Sequence, residues 1–425
     1  MGRDIIIIAF ALFAMFFGAG NLIFPAFLGL ECGNTWITGF LGFIVADVGL
    51  AILGLVSAAK SGGEISTVMN KAGDKLGILL GSLIMICLGP LLAIPRTAAT
   101  TYEMGIQPLF QGFNQIIFSV IFFIIVLLLT IKPSKIIDVI GQVLTPVLLI
   151  TLAVLIVMGI LRPIGSTAFQ SRIADAFSEG VKQGYQTMDA LAAVALSSVI
   201  MLSLETKGYK GRGDKTKMAL YASLISAVGL IIVYGGLTYL GATSSGLYIS
   251  ESLENISQTH LIVDVTTRIL GGVGKIILGI TIALACLTTA VGLTSATGEY
   301  FQKITGGKIK YEVVVIVVCV FSAFISNFGV STIIKFSAPV LSIIYPATVT
   351  LIVLNIILGD GGRKNVYRFA TYMALFISII TLVNDTWHRF PIINDLPFSQ
   401  MGFNWVLPVI LAAIIGYFAT GSRNV

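Results

Sequence analysis

The stretch Phe13-Ala14-Met15-Phe16-Phe17-Gly18-Ala19-Gly20-Asn21-Leu22-Ile23-Phe24-Pro25 decides how the rest of the chain is read. Apolar residues run from Ile5 to Phe17 and resume at Leu22, enough for a bilayer-spanning helix, which needs about 20. The run is broken in its middle. Gly18 and Gly20 each weaken a helix by roughly 1 kcal/mol relative to Ala, and Asn21 favours caps and turns over helix interiors. A break there frees carbonyls at the end of one half-helix and N–H groups at the start of the next, and hydrocarbon satisfies neither. The helix dipole then favours an anion at the N–H end and a cation at the carbonyl end. The competing structural reading is that the glycines only let a neighbouring helix approach closely.

Composition sets the class of molecule around that break. The 425 residues are 56% hydrophobic and 11% charged, with mean hydropathy +0.98, which describes a polytopic membrane protein. The formal charge of +6 is spread over short loops with no aromatic-interleaved basic patch, so it argues topology and not a nucleic-acid partner. Cys32, Cys87, Cys286 and Cys319 have no CxxC spacing, which points to neither a zinc site nor a disulfide framework. No short hydrophobic region followed by a small-residue cleavage site is present, so Ile5 onward reads as a retained span.

Apolar runs predict about twelve helices, near 5–31 (broken), 37–59, 74–104, 115–131, 138–161, 181–204, 218–243, 272–302, 312–327, 333–358, 367–386 and 404–421. With both termini cytoplasmic, the inside loops hold Lys60, Lys71, Lys132, Lys135, Lys207, Arg212, Lys303, Arg363 and Arg423 among others. The outside set is only Arg162, Arg172, Lys182, Arg268, Lys275, Lys335 and Arg389. That bias orients the chain in the cytoplasmic (inner) membrane and supports an even number of spans. The loop Ser244 to Arg268 mixes Leu247, Tyr248, Ile249, Leu253 and Ile256 with Glu251 and Glu254, a pattern for an amphipathic helix across the outer mouth.

Polar residues inside spans mark candidate sites. Arg96 follows Pro95 in the third span; it either lines a substrate or gate position or pairs structurally with Asp47 or Glu103, and Tyr102 lies nearby on the same helix. Gln186-Thr187-Met188-Asp189-Ala190 puts an amide and a carboxylate into the sixth span. In the eighth, adjacent Thr294 and Ser295, with the carbonyl of Val291, offer three oxygens suited to a hard cation. Self-satisfaction by bonding back to the preceding turn is the alternative for such hydroxyls. Thr97-Ala98-Ala99-Thr100-Thr101-Tyr102-Glu103 in helix three echoes Thr294-Ser295-Ala296-Thr297-Gly298-Glu299-Tyr300 in helix eight. Pairing one with six and three with eight gives two five-helix repeats of opposite orientation, 1–165 and 166–360, followed by two further helices in 361–425.

Gly18-Ala19-Gly20-Asn21-Leu22-Ile23-Phe24-Pro25, Ile94-Pro95-Arg96-Thr97 and Thr187-Met188-Asp189-Ala190-Leu191 together resemble the bacterial branched-chain amino-acid carriers, the Leu/Ile/Val:cation symporters of the amino acid–polyamine–organocation superfamily. The resemblance implies an all-α membrane fold like that of the sodium-coupled leucine transporter, with helices one and six broken. It implies a sodium ion, the coupling ion, among the carbonyls of Ala14, Phe17 and Val291 and the hydroxyls of Thr294 and Ser295. It also implies a substrate carboxylate on the N–H groups of Gly18, Ala19, Gly20, Asn21 and Leu22, with the ammonium at freed carbonyls of helices one and six near Asp189. Where an outer-gate Arg is expected two residues before Pro25, Ile23 stands, which makes Arg96 the candidate gate.

The implied activity is sodium-coupled import of Leu, Ile and Val. The alternative is a proton-coupled carrier of another neutral amino acid, with Asp189 as proton carrier, because desolvation favours a neutral carboxyl. An intramembrane protease is disfavoured, since His260 and His388 lie outside the spans. A channel is disfavoured by the lack of a filter sequence.

Overall fold

Every predicted span contains a helix in the computed structural model, which describes residues 2–131, 140–253 and 256–419. Lys132, Lys135, Glu254 and Arg423 lie outside the described residues, as do the first two positions of the predicted span 138–161. The first span is two helices, α1 (Gly2–Phe16) and α2 (Ala19–Cys32). Gly33, at φ +50°, ends α2, and α3 folds back along it (Trp36–Ile44, a π turn at Val45–Gly49, then Leu50–Lys60). α4 runs from Asp74–Ile86 through a kink at Gly89 and Pro90 into Ala93–Thr100 and a final π turn, Thr101–Ile106. α5 (Gln115–Thr130) is capped by the Asn114 side chain, and α6 (Thr145–Leu161) is entered through the turn Ile140–Leu144.

The predicted sixth span, 181–204, is also two helices. α7 (Ala176–Gln186) starts earlier than the apolar run because Asp175 caps it, and α8 (Asp189–Thr206) follows a left-handed Met188 at φ 71°. Then come α9 (Arg212–Ser244), α10 (Gln258–Ile304), α11 (Tyr311–Ile325), α12 (Val330–Leu358), α13 (Lys364–Trp387) and α14 (Val406–Phe418). Among the described residues nine helical runs are long and apolar enough to cross a bilayer, one of them holding both α2 and α3, while α5 and α14 are shorter apolar helices.

The segment after α9 departs from expectation. Ser245–Tyr248 is a single 3-10 turn, Leu247 and Ile249 are exposed, and the helix begins only at Gln258, capped by the Ser257 hydroxyl. It then runs into α10 across a bend at Gly271, whose φ of +63° suits glycine. Among the described residues of Leu247 to Ile256 only Ile256 is buried, and beyond the 3-10 turn at Ser245–Tyr248 they form no amphipathic helix.

Helices meet through small residues, as membrane interiors favour. A Cβ on Gly29 would lie 1.9 Å from the Thr238 carbonyl oxygen, and one on Gly241 would lie 1.8 Å from that of Ala26, so α2 and α9 touch backbone to backbone. Gly180 of α7 does the same against Gly39 of α3, 2.0 Å from its carbonyl oxygen. Basic residues assigned to the inside loops gather at one end: Lys71 and Arg212 bind Asp360 at 3.0 and 3.2 Å, and Lys303 pairs with Glu64. At the other end Arg172 donates to the carbonyls of Tyr248 and Glu251.

Candidate functional site

The two breaks face each other at mid-depth. At the first, the last carbonyls of α1 lose their helical partners and are met by α10: the Thr288 hydroxyl donates to Ala14 O at 2.7 Å, and Thr289 donates to Met15 O at 2.9 Å and reaches Ala14 O at 3.4 Å. Thr288 also touches the Ala285 carbonyl at 2.9 Å. Glycine gives close packing at position 18, where a Cβ would lie 2.9 Å from Thr289 Oγ1, and at position 20, where it would lie 2.9 Å from Arg96 Nη2, so a larger residue would displace those side chains. The first-turn amides of α2 then open the second half of the helix without intrahelical acceptors.

At the second break, the carbonyls of Gln186 and Thr187 end α7, and the Arg96 guanidinium takes both, Nη1 at 3.2 Å and Nη2 at 3.4 Å. The guanidinium lies 5.7 Å from the Phe24 ring centre, and its Nε has no partner. Arg96 therefore pairs with neither Asp47 nor Glu103. Glu103 instead binds the Val330 amide and the Thr259 hydroxyl, at 2.8 and 3.2 Å, tying α4 to the starts of α12 and α10. These contacts also correct the expectation that the carbonyls of helix six stand free for a substrate ammonium.

Between the breaks lies a buried polar network. The Asn21 amide nitrogen donates to Asp189 Oδ2 at 2.8 Å and to the Tyr234 hydroxyl at 2.6 Å, while its oxygen accepts from Gly18 N–H at 3.3 Å. The Thr187 hydroxyl bonds Asp47 Oδ1 at 2.5 Å and the Gly184 carbonyl at 2.6 Å. Asp47 is fully buried with Oδ2 unpartnered, and Asp189 and Arg96 keep only 3% and 4% of their surface exposed. Asp47 and Arg96 are the charged neighbours of Asp189. One carboxylate pair thus shares the space between the breaks with one guanidinium.

Of the residues read from sequence, Gly18, Ala19, Asn21, Arg96, Thr187, Met188 and Asp189 border a single small cavity of about 20 Å³, room for roughly one water. Met15, Phe16, Leu88, Ala93, Thr97, Ala192, Thr289 and Leu293 complete its wall. Gly20 packs against Arg96 just behind it, and Gln186 contributes its carbonyl to Arg96. Leu22 and Ala190 are buried but do not line it, and Phe17 stacks on Phe13 and Tyr234 instead.

Four further expected residues, Tyr102, Val291, Thr294 and Ser295, do not line the cavity either. Tyr102 donates to Phe113 O at 2.7 Å and contacts Phe118, which anchors the turn after α4. Thr294 and Ser295, with Val291, lie on α10 six residues beyond Thr288 and Thr289, about 9 Å along the axis. Ser295 instead faces the Tyr311 hydroxyl at 3.2 Å. Gly292 packs on the Met15 side chain of α1, where a Cβ would lie 2.8 Å from Sδ, and the Thr294 hydroxyl of the same turn is buried without a hydrogen-bond partner. The sequence reading missed Tyr234, and it weighed Asp47 only as a partner for Arg96.

Residues 1–423 match a family described as branched-chain amino acid transport proteins. A branched-chain amino acid carrier protein of Staphylococcus aureus (strain USA300) is 38% identical over 432 residues, covering 98% of this chain and 96% of that protein. One from Staphylococcus epidermidis is 37% identical over 433 residues, with the same coverage. Among solved structures, a nucleobase-cation-symport-1 family transporter, closed with bromovinylhydantoin bound, superposes with TM-score 0.62 at 15% identity over 98% of this chain and 91% of its own. A Na+-coupled sialic acid symporter gives 0.64 at 13% identity (99% and 91%), and MhsT in complex with L-phenylalanine gives 0.58 at 17% (97% and 98%). At these identities the structural likeness fixes the fold, an all-α transporter architecture.

Proposed function

The chain belongs to the family of branched-chain amino acid transport proteins, and we propose that it is a secondary symporter importing Leu, Ile and Val together with sodium. The observation that carries this reading is the pair of helix breaks meeting around one buried cavity, with a cationic group and an anionic group on its wall. Arg96 and the first-turn amides of α2 suit a carboxylate; Asp189 suits an ammonium. The remaining wall is largely apolar, with Met15, Phe16, Leu88, Ala93, Met188, Ala192 and Leu293, and the hydroxyls of Thr97 and Thr289 on it already donate to the carbonyls of Ile94 and Met15.

Such a wall takes an aliphatic side chain, each buried methylene contributing about 0.8 kcal/mol. One methylene alters preference only by about 10- to 200-fold, so Leu, Ile and Val compete with one another and charged amino acids are excluded.

For the coupling ion, the oxygens of Ala14, Met15, Ala285, Thr288 and Thr289 cluster at the C-terminal end of α1, where the dipole favours a cation. This differs from a site at Val291, Thr294 and Ser295 by the register described above. Na+-coupled symport in the sialic acid symporter of the same fold supports sodium. Proton coupling is the second reading, and the close approach of Asp47 and Asp189, both buried, favours it.

The two repeats are read as 1–165 and 166–360, because the first helix of each segment is broken. From the charge bias we read the Lys71–Asp360 end, and both chain ends, as cytoplasmic.

Uptake of labelled leucine into proteoliposomes, with either a sodium or a proton gradient imposed, tests the proposal. Accumulation driven by sodium and inhibited by Ile and Val, but not by Glu or Lys, is expected. Accumulation under a proton gradient alone transfers the reading to the second form, and no exchange of leucine under any gradient removes both.

A further inference from the structure

Asp47 sits in the π turn Val45–Gly49 of α3 and is fully buried. Such turns inside helices recur at functional sites. Helix α7 packs directly on this one: a Cβ on Gly184 would lie 3.0 Å from the Phe43 carbonyl oxygen and 3.2 Å from the Asp47 nitrogen. The close approach brings the Asp47 carboxyl to Thr187, the residue before the left-handed Met188 at which helix six breaks. Asp189 of α8, Tyr234 of α9 and Tyr345 of α12 are its titratable neighbours.

The hydrogens around Thr187 Oγ1 can be counted. Two oxygens lie close to it, Asp47 Oδ1 at 2.5 Å and the Gly184 carbonyl at 2.6 Å, and the Asp189 N–H approaches at 3.4 Å. Both oxygen distances are at the short end of the O–H···O range, yet a threonine hydroxyl brings one hydrogen and a carbonyl none. Given to Asp47, that hydrogen would leave two bare oxygens facing each other at 2.6 Å. Given to Gly184, it leaves the Asp47 contact in need of a second hydrogen, which Asp47 supplies as the neutral acid. Asp47 Oδ2, buried without a partner, agrees, because an ionised carboxylate with one oxygen bare costs far more to bury than a neutral carboxyl. Arg96 does not offset that charge, since its guanidinium is bonded to the carbonyls of Gln186 and Thr187.

We propose that Asp47 is a protonated carboxylic acid whose O–H donates to Thr187 Oγ1, a positioning residue that holds the break of helix six in the arrangement that presents Asp189 to the substrate. The inference rests on the carrier reading above. The bonds run in one direction, from Asp47 O–H to Thr187 Oγ1 and from Thr187 O–H to the Gly184 carbonyl, while Asn21 holds Asp189. With Asp47 neutral, Asp189 and Arg96 leave one charge of each sign at the cavity, the complement of a zwitterion. A second ionised carboxyl would add an anion that repels the substrate carboxylate. This proton stays on Asp47, so the role is the same under sodium coupling and under proton coupling through Asp189.

The test pairs infrared spectroscopy of the purified full chain in lipid nanodiscs with leucine exchange in vesicles. At about pH 7, where a free carboxyl is ionised, the wild-type minus Asp47→Asn difference spectrum is expected to show the carbonyl band of a protonated carboxylic acid, displaced in deuterated water. Carboxylate bands in its place overturn the proposal. For exchange, Asp47→Leu removes the donor and is expected to lower the rate by about 10-fold or more, on the loss of a buried hydrogen bond. Asp47→Asn, whose amide N–H takes over the bond to Thr187 Oγ1, is expected to stay within about 3-fold of the wild type. An Asp47→Asn protein that folds but exchanges as poorly as Asp47→Leu overturns the positioning role, because the charge or the transfer of its proton is then what transport needs. A protonated-acid band in a wild type that exchanges no leucine overturns the carrier reading instead and leaves the proton on Asp47 standing.

Discussion

Arg96 and Asp189 sit on opposite helices of the central cavity, and each is tied to a break. Arg96 bridges two carbonyls with one planar fork, which a lysine ammonium cannot do with the same geometry. Hydrogen bonds to charged groups contribute about 1.5–3 kcal/mol each. Arg96→Lys is therefore expected to lower leucine uptake by about 10-fold or more while the protein still inserts, measured as initial rates normalised to protein recovered. Wild-type rates in Arg96→Lys mean the fork does not hold the closed arrangement.

Asp189→Asn keeps the shape and the Asn21 contact but removes the charge. Uptake is expected to fall to background across pH 5.5 to 8, a range of roughly physiological width chosen to bracket carboxyl titration. Near-normal uptake at every pH assigns Asp189 a structural role and counts against proton coupling as well.

Much of this site was legible because each residue is a polar exception in an apolar run: Asn21, Arg96, Thr187 and Asp189 stand out by composition alone. Tyr234 did not stand out, since a tyrosine in a membrane helix is ordinary. Its role comes from α9 packing so closely on α2, through Gly29 and Gly241, that its hydroxyl reaches Asn21.

At the scale of elements, α10 illustrates what a pattern does not carry. Ala285-Cys286-Leu287-Thr288-Thr289 and Val291-Gly292-Leu293-Thr294-Ser295 both end in adjacent hydroxyls three residues after a usable carbonyl. Which pair meets α1 depends on how deep a 47-residue helix sits, and that depth follows from long-range packing, such as Gly292 on Met15, which a local pattern does not carry. Thr288→Ala/Thr289→Ala is expected to raise the sodium concentration for half-maximal uptake by about 10-fold or more, on a loss of about 1.4 kcal/mol or more. Thr294→Ala/Ser295→Ala is expected to leave it within about 2-fold. The reverse result would return the ion to the lower pair.

Helix boundaries follow the same logic, since α7 begins before the apolar run because Asp175 accepts from the amides of Phe177 and Ser178. The Ser178 hydroxyl and these amides hold the Asp175 carboxyl below its usual range. A depressed carboxyl stabilises the fold above its unfolded value and loses that contribution as pH falls through the lower folded one. Asp175→Ala should cost about 1 kcal/mol of helix stability near neutral pH. In thermal unfolding of detergent-solubilised protein, the gap between wild type and variant should narrow on acidification. A gap that widens toward low pH contradicts the cap.

For the whole molecule, three spaces lie in series. A chamber of about 820 Å³ beside α7 and α12 occupies one end, the cavity of about 20 Å³ the middle, and a chamber of about 980 Å³, lined by Glu64, Ser198, Glu205, Glu299 and Lys303, the other end. The contracted centre between two roomy ends is what alternating access requires, because a substrate must meet one end at a time. The proposed orientation puts the Glu64–Lys303 end on the cytoplasmic side, and the native cysteines are all buried, so an introduced thiol reports cleanly. Ser198→Cys, in the inner chamber, should react with a membrane-impermeant maleimide only in inside-out vesicles. Gln400→Cys, in the opposite chamber, should react only in right-side-out vesicles. Breaking the ion pair that ties the loop before α4 to the end of α10, with Lys303→Gln, should speed Ser198→Cys labelling, and sodium with leucine should alter the two thiols in opposite directions. Labelling of either thiol from the wrong side reverses the orientation, and parallel changes at both ends would mean the two chambers are not alternately opened.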